Sequence, residues 1–186
     1  VRDIRSLDDF NGVWNLRIND LGDEFMISSS QMGPFPEGLQ VGLVNINERK
    51  VLLNFLDHKE MIQNNKNSVY DLKVIAGDQE YVKSMSQEIL SSIPEEFSLG
   101  QNYPNPFNPI TQMEYSLPQS SKVVISIYNV LGQEIKTLVN KEQDYGYHSV
   151  SWDGTDRLGK SVASGVYFTQ MRSDGFSQSK KMLLLK

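Results

Sequence analysis

The sequence predicts an all-β chain, two small antiparallel β-sandwiches in tandem, and three observations carry that expectation. Short apolar or alternating runs recur along the 186 residues, separated by turn-forming residues. A block rich in proline and asparagine, from Gly100 to Pro118, interrupts them. Charge also divides unevenly: residues 1–98 carry 9 basic side chains against 16 acidic, a net of −7, while 99–186 carry 9 against 7, a net of +2. The expected organisation is a β-sandwich over 1–83, a linker over 84–96 and a second sandwich over 97–186.

In the first part the expected strands are Val13–Ile18, Phe25–Ile27, Leu39–Ile46, Val51–Phe55 and Val69–Ala76. Asp20–Asp23, Gly33–Gly38 and Asn47–Glu48 supply the turn chemistry between them. Trp14, Leu16 and Ile18 alternate on one face, as do Tyr70, Leu72 and Val74, so both triplets are expected to look into one core. That spacing makes Trp14 a core residue rather than a sugar-stacking platform. His58, in Asp57-His58-Lys59-Glu60, has no second histidine nearby and reads as a solvated loop residue. Residues 84–96, with four serines, Pro94 and the Glu95-Glu96 pair, have connector composition. Glu88-Ile89-Leu90 makes at most a brief helical turn there.

The Asn-Pro block opens the second part. Pro104, Pro106 and Pro109 lack an amide donor and drive the residues before them out of helical geometry. Asn102, Asn105 and Asn108 can bond neighbouring backbone groups, so the block is expected to be an ordered loop leading into a sheet. Strands follow at Met113–Leu117, Val123–Tyr128, Glu134–Val139, His148–Trp152, Gly165–Arg172 and Phe176–Leu185, with Gly132 as the positive-φ residue of one hairpin and Ser173-Asp174-Gly175 as the turn of another. About seven strands is the number of a small Ig-like sandwich.

The chain starts at Val1 within polar sequence, the expected look of the C-terminal piece of a longer precursor whose export signal lies upstream. No run approaches the roughly 18 apolar residues of a membrane helix. Cysteine is absent, which removes disulfides and cysteine-based catalysis or zinc binding, and the net charge of −5 argues against nucleic acid as a partner. Asp153 and Asp156 stand three apart in a glycine-bearing loop, a spacing that can ligate calcium. The competing reading is a turn whose aspartates cap backbone amides beside a buried Trp152. His148 alternates with Val150 and Trp152 and reads as a hydrogen-bonded sheet residue. No phosphate loop, paired catalytic acids or serine-triad context is visible, so no enzymatic activity is expected.

Taken in order, several segments carry a resemblance: Leu99-Gly100-Gln101-Asn102-Tyr103-Pro104-Asn105-Pro106-Phe107-Asn108-Pro109, Tyr115–Pro118, Ile127–Glu134, Gly146-Tyr147-His148, Trp152-Asp153-Gly154-Thr155-Asp156, Gly159, Val162-Ala163-Ser164-Gly165-Val166-Tyr167-Phe168, and the closing Lys180-Lys181-Met182-Leu183-Leu184-Leu185-Lys186. Residues 97–186 thereby resemble the C-terminal sorting domain, type A, of the type IX (Por) secretion system. Trp152 to Phe168 also resembles the Ig-like part of flagellar hook-capping proteins. The resemblance implies a non-catalytic address on a secreted surface protein, carried through the periplasm and read by the outer-membrane translocon, with removal by a sortase-like peptidase. Lys180 to Lys186 are the expected recognition segment, on the argument that a free final strand can accept strand addition or dock in a groove. Residues 12–83 look like the β-sandwich that precedes such signals, a spacer or an adhesive domain for glycan or surface protein. A structural subunit of a surface layer or filament is the remaining alternative.

Overall fold

The computed structural model describes residues 11–18, 24–28, 36–55, 59–63 and 70–185. The expected Asp20–Asp23 connection, His58 and Lys186 lie outside them. The chain divides into two compact units, Val1–Ser92 and Ile93–Lys186. Strands dominate both, as expected of an all-β protein.

In the first unit β1 (Gly12–Ile18), β2 (Glu24–Ser28), β3 (Gln40–Asn45), β4 (Lys50–Leu52), β5 (Lys59–Gln63) and β6 (Tyr70–Gly77) precede one helix, α1 (Gln79–Ser92). A four-stranded antiparallel sheet runs in the order β1-β6-β3-β4, and β2 pairs with β5 as a two-stranded ribbon. One face of the sheet buries Leu43, Phe55, Tyr70 and Leu72, and Ile27 of the ribbon packs against that cluster. Leu16 departs from the expected inward triplet: it is 43% exposed because β1 is the sheet edge, where a core face runs out. The run Val51–Phe55 is shorter than expected as a strand. Asn54 takes φ 57°, which ends the extended geometry after Leu52, and Phe55 is buried separately while its N–H donates to Val41 O at 2.7 Å.

Helix α1 replaces the first nine residues of the expected 84–96 linker. Its start is written in Asp78, whose carboxylate accepts the Tyr81 N–H at 2.8 Å while its carbonyl accepts the Val82 N–H at 3.0 Å. Val82, Ser86 and Ile89 recur at helical spacing and are buried. The serines that suggested a connector turn their hydroxyls back onto the helix: Ser86 donates to Val82 O at 2.6 Å and Ser92 to Ile89 O at 2.8 Å. The helix packs on β3 and β6, on the sheet face opposite Leu43. Contact is close enough that a Cβ on Gly42 would stand 2.8 Å from Val82 Cγ1.

The second unit holds β7 (Ser98–Leu99), β8 (Thr111–Leu117), β9 (Ser121–Asn129), β10 (Glu134–Gln143), β11 (Gly146–Trp152), β12 (Gly165–Ser173) and β13 (Phe176–Leu184). Two antiparallel sheets, β10-β9-β12-β13 and β11-β8-β7, supply its core. The alternation reads directly in burial: Met113, Tyr115 and Leu117 of one sheet, and Val123, Ile125 and Ile127 of the other, all join one cluster with Met171, Met182 and Leu184. Both expected hairpins form. Gly132 has φ 76°, with the Asn129 carboxamide accepting the Leu131 and Gln133 N–H groups at 3.0 Å each, and Asp174 and Gly175 both take positive φ.

Thr169 sits fully buried in β12, and its hydroxyl has no hydrogen-bond partner. Replacing it with valine, nearly isosteric and apolar, is expected to raise stability by about 1 kcal/mol, read from denaturant midpoints, because the valine carries no unsatisfied group. A loss of stability in Thr169→Val would mean that the hydroxyl is bonded.

Candidate functional site

The Asn-Pro block and the terminal strand, at opposite ends of the second unit's sequence, form one structure. β13 is the last strand of its sheet, so every second residue turns its backbone polar groups away from β12. The block meets them. Phe107 N–H donates to Leu183 O at 2.9 Å, Leu185 N–H donates to Phe107 O at 2.9 Å, and Leu183 N–H donates to the Asn105 side-chain oxygen at 3.0 Å. Lys181 O accepts from the carboxamides of Gln101 at 2.9 Å and Asn105 at 3.3 Å. Lys181 to Leu185 therefore present an occupied edge, which corrects the strand-addition form of the expectation there but not its groove-docking form.

The block is itself held from within. Asn102 is buried; its Nδ2 donates to Pro104 O at 3.0 Å and to Thr111 Oγ1 at 2.9 Å, and its Oδ1 accepts from Gln101 at 2.6 Å. The Thr111 hydroxyl in turn donates to Pro104 O at 2.8 Å. Both the Tyr103–Pro104 and Asn105–Pro106 bonds are cis, which proline composition alone did not indicate. Phe107 then enters the core, 5.5 Å from Trp152 by ring centroids, and Trp152 meets Tyr167 edge-on at 5.1 Å. Three aromatics from three segments that carry the resemblance are thus one packed group. Asn108 and Pro109 stay exposed.

The Trp152 loop follows the capping reading. Trp152 Nε1 donates to Thr155 O at 2.9 Å. Asp153 Oδ1 accepts the Thr155 hydroxyl at 2.6 Å, its N–H at 3.2 Å and the Lys136 ammonium at 3.2 Å. The Thr155 hydroxyl bond, the largest influence, holds the Asp153 carboxyl below its usual 3.8; burial opposes it, and the Lys136 ammonium and the Thr155 N–H add smaller lowering effects. Its stabilising contribution is present above the unfolded-state pKa and is lost as pH falls through the lower folded one. Asp156 Oδ1 caps Leu158 N–H at 2.8 Å and Lys160 N–H at 2.9 Å, and Gly159 completes the turn at φ 76°. Gly154 has φ 68°, and a Cβ there would lie 3.3 Å from Pro109 O. Gly154→Ala is expected to cost about 1–2 kcal/mol on chemical denaturation, and an unchanged midpoint would contradict the conformation. Ser164 is exposed and Gly165 begins β12, while the Tyr167 hydroxyl donates to Ala163 O at 2.8 Å. Among the described residues no group of three or more His, Cys, Asp or Glu comes together to hold a metal.

Lys180 and Lys181 project to opposite faces of β13. Lys180 is half-buried on the inward row and Lys181 exposed on the other, so the basic segment is not one charged face. Met182 and Leu184 are buried core residues, Leu183 is half-buried and Leu185 exposed. His148 Nε2–H donates to Asp144 O at 2.7 Å and its ring stacks on Tyr115, as a sheet histidine would.

The second unit is an Ig-like sandwich. The FlgD Ig-like domain family matches residues 110–175, a span that contains the Trp152 to Phe168 segment. Among solved structures, this chain is similar to FlgD from P. aeruginosa, at 27% identity over 40% of this chain and 59% of that one, with a TM-score of 0.32. It is also similar to PorZ of Porphyromonas gingivalis, described as an essential bacterial surface component of the type-IX secretion system, at 15% identity over 67% of this chain and 16% of that one, TM-score 0.35. A third is dimeric latent PorU of Porphyromonas gingivalis, at 12% identity over 95% and 18%, TM-score 0.41. The chain spans less than two thirds of each of these three. No curated protein matches.

Proposed function

We propose that residues 97–186 are a folded export address, the C-terminal sorting domain of type A for the type IX secretion system. The unit before it is a spacer or adhesive domain, and the whole is a non-catalytic module of a secreted bacterial surface protein. The observation that carries this reading is the joining of the Asn-Pro block to β13: the two motif-rich ends of the resemblance are hydrogen-bonded to each other across 76 to 80 residues of sequence. An address built this way is read as a shape. The partners are the outer-membrane translocon and a sortase-like peptidase, and the route runs through the periplasm to the cell surface.

Deleting 97–186 from the precursor is expected to leave cargo in the periplasm, measured by fractionation and surface labelling. Undiminished surface delivery by the truncated protein would end the proposal. A milder variant, Asn105→Ala, removes two of the bonds to β13 and is expected to reduce delivery without abolishing it.

A further inference from the structure

The outward face of the β11-β8-β7 sheet carries a second feature, separate from the joint between the Asn-Pro block and β13. Because the strands alternate, Tyr147, Ser149, Ser116, Glu114 and Gln112 all turn away from the core, with Tyr147 opposite Ser116 and Ser149 opposite Glu114. Past β7 the chain continues this face: Gly100 N–H donates to Glu114 O at 2.7 Å, and Tyr103 pairs with Gln112 as a single bridge. Two adjoining hollows, of about 470 and 480 Å³, share Gly100, Gln112 and Glu114. Gly100 is what leaves the floor low between them, since a Cβ there would lie 3.0 Å from Glu114 O.

The rims of this groove are aromatic and its floor is polar. Tyr103 is 83% exposed and Tyr147 76% exposed, at diagonally opposite corners. Four residues along the strand and two strand spacings across separate them, about 14 Å by 10 Å. Gln112 and Glu114 between them make no side-chain hydrogen bond among the described residues. That is unusual for this unit: Gln101, Gln119, Gln133, Gln143, Gln170 and Gln178 each bond through their carboxamides. Glutamine and glutamate offer both donors and acceptors here, with one negative charge and no cation among the groove's lining residues.

We propose that this groove binds a neutral oligosaccharide. A sugar ring has an apolar C–H face that stacks on an aromatic ring and an edge of hydroxyls that both donate and accept, and a short chain of rings would set its ends on Tyr103 and Tyr147 with its hydroxyls over Gln112 and Glu114. An acidic polymer is disfavoured by the Glu114 carboxylate. A proline-rich peptide would find aromatic surface but leave the carboxamide and carboxylate beneath it without partners.

The test is titration of the full chain with neutral oligosaccharides of glucose, mannose, galactose, xylose and N-acetylglucosamine, alongside oligogalacturonate and an oligoproline peptide, followed by calorimetry and by amide shifts of β8 and β11. Binding of a neutral sugar is expected, with shifts confined to this face and affinity falling about tenfold or more in Tyr103→Ala and Tyr147→Ala. Both side chains are exposed, so the variants are expected to fold; unchanged Trp152 fluorescence verifies that, and Gln112→Ala supplies a further variant that leaves the aromatic rims intact. No neutral sugar bound at millimolar concentration, equal affinity in the tyrosine variants, or preference for the acidic sugar or the peptide would each overturn the proposal. Surface delivery of the Gln112→Ala precursor, whose change lies outside every segment that carries the resemblance, is expected to be normal, which separates failure here from failure of the export reading.

Discussion

Phe107→Ala is expected to lower the stability of the second unit by about 3–5 kcal/mol, the usual cost of emptying a large aromatic site. Phe107 is 2% exposed and its ring lies against Trp152 in the one cluster that both sheets share. Relaxation can refill little of the space, because Trp152 is fixed by its bond to Thr155 O and by Tyr167 on another side. The loss has a second part. The Phe107 backbone bridges Leu183 and Leu185, so once the side chain no longer anchors the loop, those two bonds to β13 depend on the Asn105 and Gln101 carboxamides. Urea titration followed by tryptophan emission should show an early transition with a red-shifted Trp152 contribution. A cost below about 1 kcal/mol would mean that the block is not anchored through its phenylalanine. If the export reading holds, the same variant should also deliver cargo poorly.

Gly42→Leu tests the other unit. The missing side chain of Gly42 is the space into which Val82 of α1 fits, with 2.8 Å left for any Cβ. Val82 is wholly buried and β-branched, so it has no alternative rotamer to retreat to, and the helix itself must move. Overpacking of this kind costs about 1–3 kcal/mol, and leucine lies at the upper end because its whole side chain must be housed under α1. Circular dichroism should report partial loss of helix signal, with denaturant unfolding giving the stability change. Gly42→Ala is the smaller step, expected to lose about 1 kcal/mol. A fully stable Gly42→Leu protein would show that α1 is not seated on β3.

These two sites differ in how far the sequence announced them. Strand positions in 97–186 were legible because burial follows period-two alternation: Met113, Tyr115 and Leu117 lie inside, Gln112 and Glu114 outside. Hairpin turns were equally legible at Gly132 and at Asp174-Gly175, where positive φ is a local demand. Helix α1 is not legible in the same way, because its serines, with Pro94 and Glu95-Glu96 close behind, give the segment the composition of a connector. The counter-signals were present in Asp78 as a cap and in Val82, Ser86 and Ile89 recurring on one face. β5 escaped as well, since Lys59-Glu60-Met61-Ile62-Gln63 has only two apolar residues and takes its strand form from pairing with β2. The Tyr103–Tyr147 groove left no local trace at all, because its residues belong to three separate segments.

The amino-acid sequence by itself determined the class of fold and the hairpin turns, and it offered a capped loop as one of two readings of Trp152 and its aspartates. All of these rest on interactions a few residues apart, which side-chain alternation, proline and glycine specify directly. Only the tertiary structure decided that the block closes the edge of β13. The partners there are separated by some 76 to 80 positions. Hydrogen-bond donors and acceptors carry no label of their distant mates, so such contacts are set by how the two sheets pack and not by any stretch of chain alone.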